Sequence, residues 1–329
     1  MHFGFTTDQL ALRDLLRGLL EDICPPHVVR AAWNAGQNPL PQLWKQLGEL
    51  GLFGLLVPQE QGGIGCSEIE LVMLLEECGR FALPGPIGEH LAVAVPALCS
   101  AGAPEFFAAL CGDVVVTVQE SPLSSVRWAR RSGLMVRLTP ENVYLSPMAS
   151  LSLGEERPSV DRSASPCAVD GGTLTPLAVD PELSRRRATL AAAAQLVGLA
   201  GRQIELAAEY AKSRTQFGAP IGSYQAVKHL LATALVAVEH ARPVAYWAGW
   251  VLASGAEEAD LAVSFAKVYA TRAADLAART ALQCHGAIGY TWEHDLHLWM
   301  KRVWALASMW GTLAEHEEIV AKAVLDEVC

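Results

Sequence analysis

The chain has 329 residues, enough for one large domain or two to three ordinary ones. Hydrophobic residues make up 51% and charged residues 18%, against roughly 25% charged in an average soluble protein, which excludes a disordered chain because ample apolar surface offsets the entropy of ordering. A net charge of −10 without a basic, aromatic-interleaved stripe argues against a nucleic-acid partner. The longest uncharged stretches, 90–104, 188–201 and 243–256, fall short of the roughly 18–20 residues of a membrane-spanning helix. Met1-His2-Phe3-Gly4 lacks the charged-then-apolar layout of a secretion signal. The expectation is a cytoplasmic, oligomeric protein. Its eight cysteines (24, 66, 78, 99, 111, 167, 284, 329) show no C-x-x-C spacing and read as buried free thiols.

The first part of the chain reads as helices. Thr6-Thr7-Asp8 can cap a helix whose leucines 10, 12, 15, 16, 19 and 20 recur at helical spacing, ending before Pro25-Pro26. A second helix runs from Pro41 to Leu50 and closes at Gly51, and a glycine-rich loop follows at 59–65. Ser67 and Glu70 form a capping box for a third helix through Cys78; a fourth runs from about Glu89 to Ser100, after Pro84-Gly85-Pro86. From 112 the grammar changes. The β-branched run 114–118 and the pieces 135–138 and 143–145 read as strands, with turns at 140–142 and 170–172. After Ser184 long alanine-rich helices are expected at 185–212, 223–254, 257–283 and 301–326, a pattern typical of a bundle. The expected division is a helical domain at 1–111, a small β domain at 112–183 and a bundle at 184–329. No dinucleotide, phosphate-loop, nucleophile-elbow or zincin motif is present. The densest polar cluster, Trp292-Glu293-His294-Asp295-Leu296-His297, has two readings: a metal pair from His294 and His297, or a helix start with acids near its positive end.

Four segments in this order resemble the acyl-CoA dehydrogenase family over nearly the whole chain. They are Phe5-Thr6-Thr7-Asp8-Gln9-Leu10-Ala11-Leu12-Arg13-Asp14; Leu43-Trp44-Lys45-Gln46-Leu47-Gly48-Glu49-Leu50-Gly51-Leu52 with Val57-Pro58-Gln59-Glu60-Gln61-Gly62-Gly63; Glu209-Tyr210-Ala211-Lys212-Ser213-Arg214-Thr215-Gln216-Phe217-Gly218 with Pro220-Ile221 and Gln225; and Ala281-Leu282-Gln283-Cys284-His285-Gly286-Ala287-Ile288-Gly289-Tyr290-Thr291. The resemblance implies a mainly α fold: an amino-terminal helical domain, a central β domain and a carboxy-terminal four-helix bundle. It also implies oxidation of an acyl-CoA thioester to the enoyl-CoA, a carboxylate removing the α-proton while the β-carbon gives a hydride to FAD. Carried over residue by residue, Arg214 would face the FAD pyrophosphate, Phe217 and Gln225 would cover and bond the dinucleotide, and Gln283 to Ala287 would hold its far part, with Gly286 allowing close backbone approach. In the family these elements reach a neighbouring subunit's FAD. The competing reading makes Arg214 a helix cap and Gly286 and Gly289 turn formers.

The departures from the family carry the sharper expectation. The usual glutamate base lies in a Tyr-Glu-Gly-Thr stretch, and here Met309-Trp310-Gly311-Thr312 puts Trp310 in its place. Indole cannot abstract a proton. The alternative base position, ten residues before Gly198, falls on Ala188, with Thr189 next; Glu182, Asp180 and Glu120 are the remaining acids to consider. Gln119-Glu120-Ser121-Pro122 stands for the flavin-side strand end, and Trp128-Ala129-Arg130-Arg131 shares only an aromatic with the family's flavin segment. The β domain is also short. The resemblance therefore implies a base-deficient subunit that completes the FAD site of a full-length homologous partner in an α2β2 acyl-CoA dehydrogenase acting on bulky, steroid-like acyl-CoAs, with electron-transfer flavoprotein or an equivalent as acceptor. A self-sufficient homo-oligomer with an atypical base and a non-catalytic scaffold are the rival readings.

Overall fold

The computed structural model describes residues 4–34, 37–121 and 124–326. Helix α1 (Thr7–Ile23) opens on a reciprocal cap: the Thr6 hydroxyl accepts from the Gln9 backbone at 3.2 Å and the Gln9 amide oxygen accepts from Thr6 N–H at 2.8 Å. The short α2 (Pro26–Ala31), which the periodicity does not reveal, starts on a proline whose ring presets the helical φ. Helix α3 (Leu40–Glu49) ends at Gly51, whose φ of +83° needs no Cβ. Helix α4 (Glu68–Arg80) carries the expected Ser67–Glu70 capping box. The expected 89–100 helix begins earlier, as α5 (Ile87–Glu89), a π-helical turn (His90–Ala94) and α6 (Val95–Ser100); α7 (Phe106–Leu110) follows.

The strands are β1 (Val116–Gln119), β2 (Leu134–Leu138), β3 (Val143–Pro147), β4 (Ser152–Glu156), β5 (Cys167–Asp170) and β6 (Thr175–Leu177). One sheet has the order β1-β2-β3-β6, parallel only between β1 and β2, while β4 and β5 pair separately. Strands β4 to β6 escaped sequence reading because they are short and largely exposed, with too few residues for a pattern to show. The run at 114–118 becomes a strand only from Val116.

Helix α8 (Pro181–Ser213), the two-residue strands β7 (Thr215–Gln216) and β8 (Ala219–Pro220), α9 (Gln225–Ser254), α10 (Ala259–His285), α11 (Leu296–Ala307) and α12 (Leu313–Asp326) complete the chain. The expected 301–326 helix is thus two helices. Trp310 and Gly311 have φ of +57° and +92°, and successive left-handed residues cannot continue a right-handed helix.

Small residues let the layers approach closely. A Cβ on Gly198 would lie 1.9 Å from the Glu76 carbonyl oxygen, and one on Gly79 would lie 2.1 Å from that of Gln195, so the α4–α8 crossing requires both glycines. Buried alanines of α8 and α10 extend the same packing through the bundle. Acids of α4 tie it to its neighbours: Glu68 to Arg187 at 2.7 Å, Glu76 to Arg242 at 2.8 Å, and Glu77 to Arg17 at 2.5 Å. Cys24, Cys78, Cys99, Cys167 and Cys284 are buried free thiols as expected, but Cys66 is half-buried and Cys111 exposed; Cys329 lies outside the described residues. Among the described residues no helix is long and apolar enough to cross a membrane.

Candidate functional site

Two regions bear on function, one at an end of the bundle and one between the sheet and the bundle. At the bundle end, the end of α8, the start of α9 and the end of α10 meet, because α9 runs antiparallel to both. Tyr210 of α8 stacks on His285 of α10 with ring centroids 4.5 Å apart, and His294, just before α11, approaches His285 at 4.5 Å, joining α8, α10 and the start of α11. All six expected cofactor residues, Arg214, Phe217, Gln225, Gln283, Gly286 and Ala287, are on this end and exposed. Phe217 and Gly218 form the tight turn of the β7–β8 hairpin with φ of +52° and +81°. A left-handed phenylalanine is a strained choice, and this one leaves its ring 95% exposed. The Arg214 backbone N–H closes α8 on the Tyr210 carbonyl at 2.8 Å. Its guanidinium has no ion pair or hydrogen bond among the described residues. The helix-cap reading is therefore true of the backbone and leaves the side chain free. Gly286, at φ +63° and ψ −138°, has no atom within 4 Å of the position a Cβ would take, while Gly289 is packed against Leu282 and His285. This end presents an unpaired cation, an exposed ring and open backbone. Such a surface fits the pyrophosphate-and-base half of a dinucleotide approaching from outside the chain.

The second region is where the expected base position lies. Trp310 is buried, its carbonyl accepting from His316 Nε2 at 2.8 Å and its indole N–H donating to the buried Glu89 carboxylate. Burial holds that carboxyl above its ordinary range, opposed by Arg127, Arg302 and the indole. Gly311 N–H donates to Glu120 at 3.2 Å, and the buried Lys267 ammonium donates to the Leu306 carbonyl at 3.2 Å and to that of Met309. Burial brings Lys267 down to about 7. Arg302 pairs with Asp161 and donates to the Leu83 carbonyl and the Ser163 hydroxyl, each at 3.0 Å. Arg127 donates to the Ala305 carbonyl at 3.0 Å. This closed polar network leaves cavities of only about 10 Å³ beside Arg302 and about 120 Å³ beside Glu120.

Ala188 and Thr189 are buried in α8; Asp180 caps α8 by accepting from Glu182 N–H at 2.9 Å, and Glu182 is a surface group 4.0 Å from Arg185. Glu120 lies beside the small cavity but is engaged by Gly311. Ser121 is exposed next to it, and Pro122 lies outside the described residues. Trp128 is buried, with Arg302 over its ring at 5.5 Å. The polar cluster at 292–297 also resolves. His294 Nδ1 accepts from Leu296 N–H at 3.2 Å and so caps α11; Asp295 instead pairs with Arg30. His297 is buried among Trp33 and Trp292, and among the described residues no three potential metal ligands converge. Glu89, Arg127, Asp161, Lys267 and Arg302 escaped sequence reading because they come from separated elements and only folding brings them together.

The comparisons agree with this architecture. Residues 6–110 match the family model "Acyl-CoA dehydrogenase, N-terminal domain" and residues 178–325 match "Acyl-CoA dehydrogenase, C-terminal domain". The chain is 32% identical over 316 residues to the acyl-CoA dehydrogenase IpdE2 of Mycolicibacterium smegmatis, covering 91% of this chain and 93% of that one. Among solved structures, a variant of the Tcur3481–Tcur3483 steroid ACAD superposes with a TM-score of 0.87 at 22% identity, covering 98% of both chains. The ChsE4–ChsE5 complex from Mycobacterium tuberculosis gives 0.87 at 22% identity, covering 99% of both. The chain belongs to the acyl-CoA dehydrogenase family, whose cofactor is FAD.

Proposed function

We propose that this chain is the base-lacking subunit of a heteromeric acyl-CoA dehydrogenase in the cytoplasm, completing in trans the FAD site of a homologous catalytic subunit. The observation that carries the reading is the contrast between the two regions: the centre of the chain is filled by Trp310 and its ionic network, while the six bundle-end residues stay exposed. FAD, when bound, supplies the acceptor for the hydride that leaves the acyl β-carbon. In this reading Arg214 neutralises the pyrophosphate, Phe217 and Gln225 cover and bond the dinucleotide, and the backbone at Gly286 and Ala287, with Gln283, lies against its far part. The partner contributes the carboxylate that removes the α-proton and the pocket for the flavin ring. The likeness in fold to a steroid ACAD is in keeping with a bulky acyl-CoA as substrate. Electron-transfer flavoprotein or an equivalent takes the electrons in this reading.

The test is co-expression with a family member carrying the glutamate. The complex should retain FAD and dehydrogenate acyl-CoA, and Arg214→Ala should release FAD without dissociating the subunits. Full flavin occupancy and robust turnover by this chain alone would sink the proposal.

A further inference from the structure

The segments at the bundle end are joined by rings that are not among the cofactor residues themselves. Tyr210, in the last turn of α8, lies nearly parallel to the His285 imidazole, at 21° with centroids 4.5 Å apart. The backbone carbonyl of the same tyrosine accepts the Arg214 N–H at 2.8 Å, so the stacked residue also ends α8. His285 is the last residue of α10 and immediately precedes Gly286, whose N–H closes that helix on the Leu282 carbonyl. One ring contact therefore sets how far the Arg214 turn stands from the backbone at Gly286 and Ala287. His294 meets both rings edge-on, 4.5 Å from His285 and 6.2 Å from Tyr210. Gly289 folds back so closely that a Cβ on it would lie 3.1 Å from that of His285.

His285 is 4% exposed. Its Nδ1–H donates to the Ala281 carbonyl at 2.7 Å, which leaves Nε2 as the lone-pair nitrogen, buried and without a hydrogen-bond partner among the described residues. A proton added at Nε2 would be buried without an acceptor. The titratable groups facing the ring are Tyr210 from α8 and His294 from the segment before α11; Gly289 brings no charge, and α10 itself offers the Ala281 carbonyl. Burial, with His294 adding to it and the Ala281 carbonyl opposing, holds the imidazole below its ordinary pKa of 6.5. We propose that Tyr210 and His285 are positioning residues for the dinucleotide: their stack fixes the spacing between the Arg214 turn and the Gly286 and Ala287 backbone. Both act through these neighbours, and because the neighbours belong to the trans site, the assignment rests on the function proposed above. The stacked arrangement needs a neutral ring, whereas an unstacked, hydrated imidazole titrates near its ordinary value of about 6.5. The stack is therefore at full strength above about pH 6.5 and weakens as pH falls below it.

The FAD affinity of the complex with a glutamate-bearing homologue is measured by flavin fluorescence from about pH 5 to about pH 8. Tyr210→Leu and His285→Leu should each weaken it about three- to tenfold, the range expected for loss of an aromatic pair, with the subunits still assembled. His285→Phe keeps the stack and removes the titrating nitrogen, so it should retain wild-type affinity at about pH 7.5. Wild-type affinity should fall by up to about tenfold per unit below about pH 6.5, and His285→Phe should show a flatter slope. Leucine variants that bind FAD as tightly as wild type overturn the proposal. So does a His285→Phe variant weakened as much as His285→Leu, or one with the wild-type pH slope. Tyr210→Leu decides the matter if His285→Leu fails to fold. A wild-type complex that holds no FAD overturns the proposed function and this assignment with it; a flavin-loaded wild type with indifferent variants overturns this assignment alone.

Discussion

The imidazole of His316 holds the Trp310 carbonyl at 2.8 Å, and its other nitrogen meets the Ser264 hydroxyl at 3.1 Å. A residue on α12 thus fixes the left-handed turn that carries Trp310, and anchors it to α10. Glu120, Lys267 and Glu89 hold the same turn from other sides. The indole is built into the core rather than merely substituted at a site, and this has consequences for any attempt to restore a base.

Trp310→Glu should leave the isolated chain without dehydrogenase activity. The new carboxyl would be buried beside Glu89, where two acids cannot both ionise cheaply, and the volume of the indole would be lost. Truncating a buried tryptophan costs about 3–5 kcal/mol, so thermal unfolding should show a clear fall in Tm. A stable, active variant would contradict the description of this centre as closed.

Gly198→Ala should destabilise the protein by about 1–3 kcal/mol or more, because the added methyl would stand 1.9 Å from the Glu76 carbonyl oxygen. Urea unfolding checks this. The same substitution at Gly18, where nothing lies within 4 Å of a Cβ, should be neutral or mildly stabilising.

Gly286→Ala should disturb the bundle end specifically. At φ +63° and ψ −138° an alanine costs about 1–3 kcal/mol locally, although space is open around it. In the complex with a catalytic subunit, FAD retention should fall more than global stability, which paired flavin-absorbance and melting measurements would separate.

His90 makes stability pH-dependent. It is buried, its Nδ1 accepting from Val116 N–H and its Nε2 bonding to the Ala109 carbonyl, each at 3.1 Å, and burial pulls its pKa from 6.5 to about 4. Between those values the unfolded chain binds more protons than the folded one, so stability rises with pH and is lost as pH falls from about 6.5 to about 4. Comparing wild type with His90→Gln by urea unfolding should show a wild-type slope steeper by up to about 1.4 kcal/mol per pH unit in that window. Equal slopes would show that His90 is not held neutral by the fold.

The sequence by itself determined the helix–strand–helix order, the caps at Thr6 and Ser67, the family, and the absence of a carboxylate at position 310. These rest on local chemistry: hydroxyl caps, apolar periodicity and side-chain identity. The exposed strands β4 to β6 and the short α2 left no such trace. Tertiary structure alone decided that the helix expected at 301–326 breaks at Trp310, because the break depends on His316 of α12 meeting Lys267, Glu120 and Glu89 from three other segments. It also decided that His294 rather than an acid caps α11, and that Tyr210 of α8 stacks on His285 of α10. Burial, carbonyl contacts and charge pairing are properties of the packed molecule; no spacing along the chain encodes them.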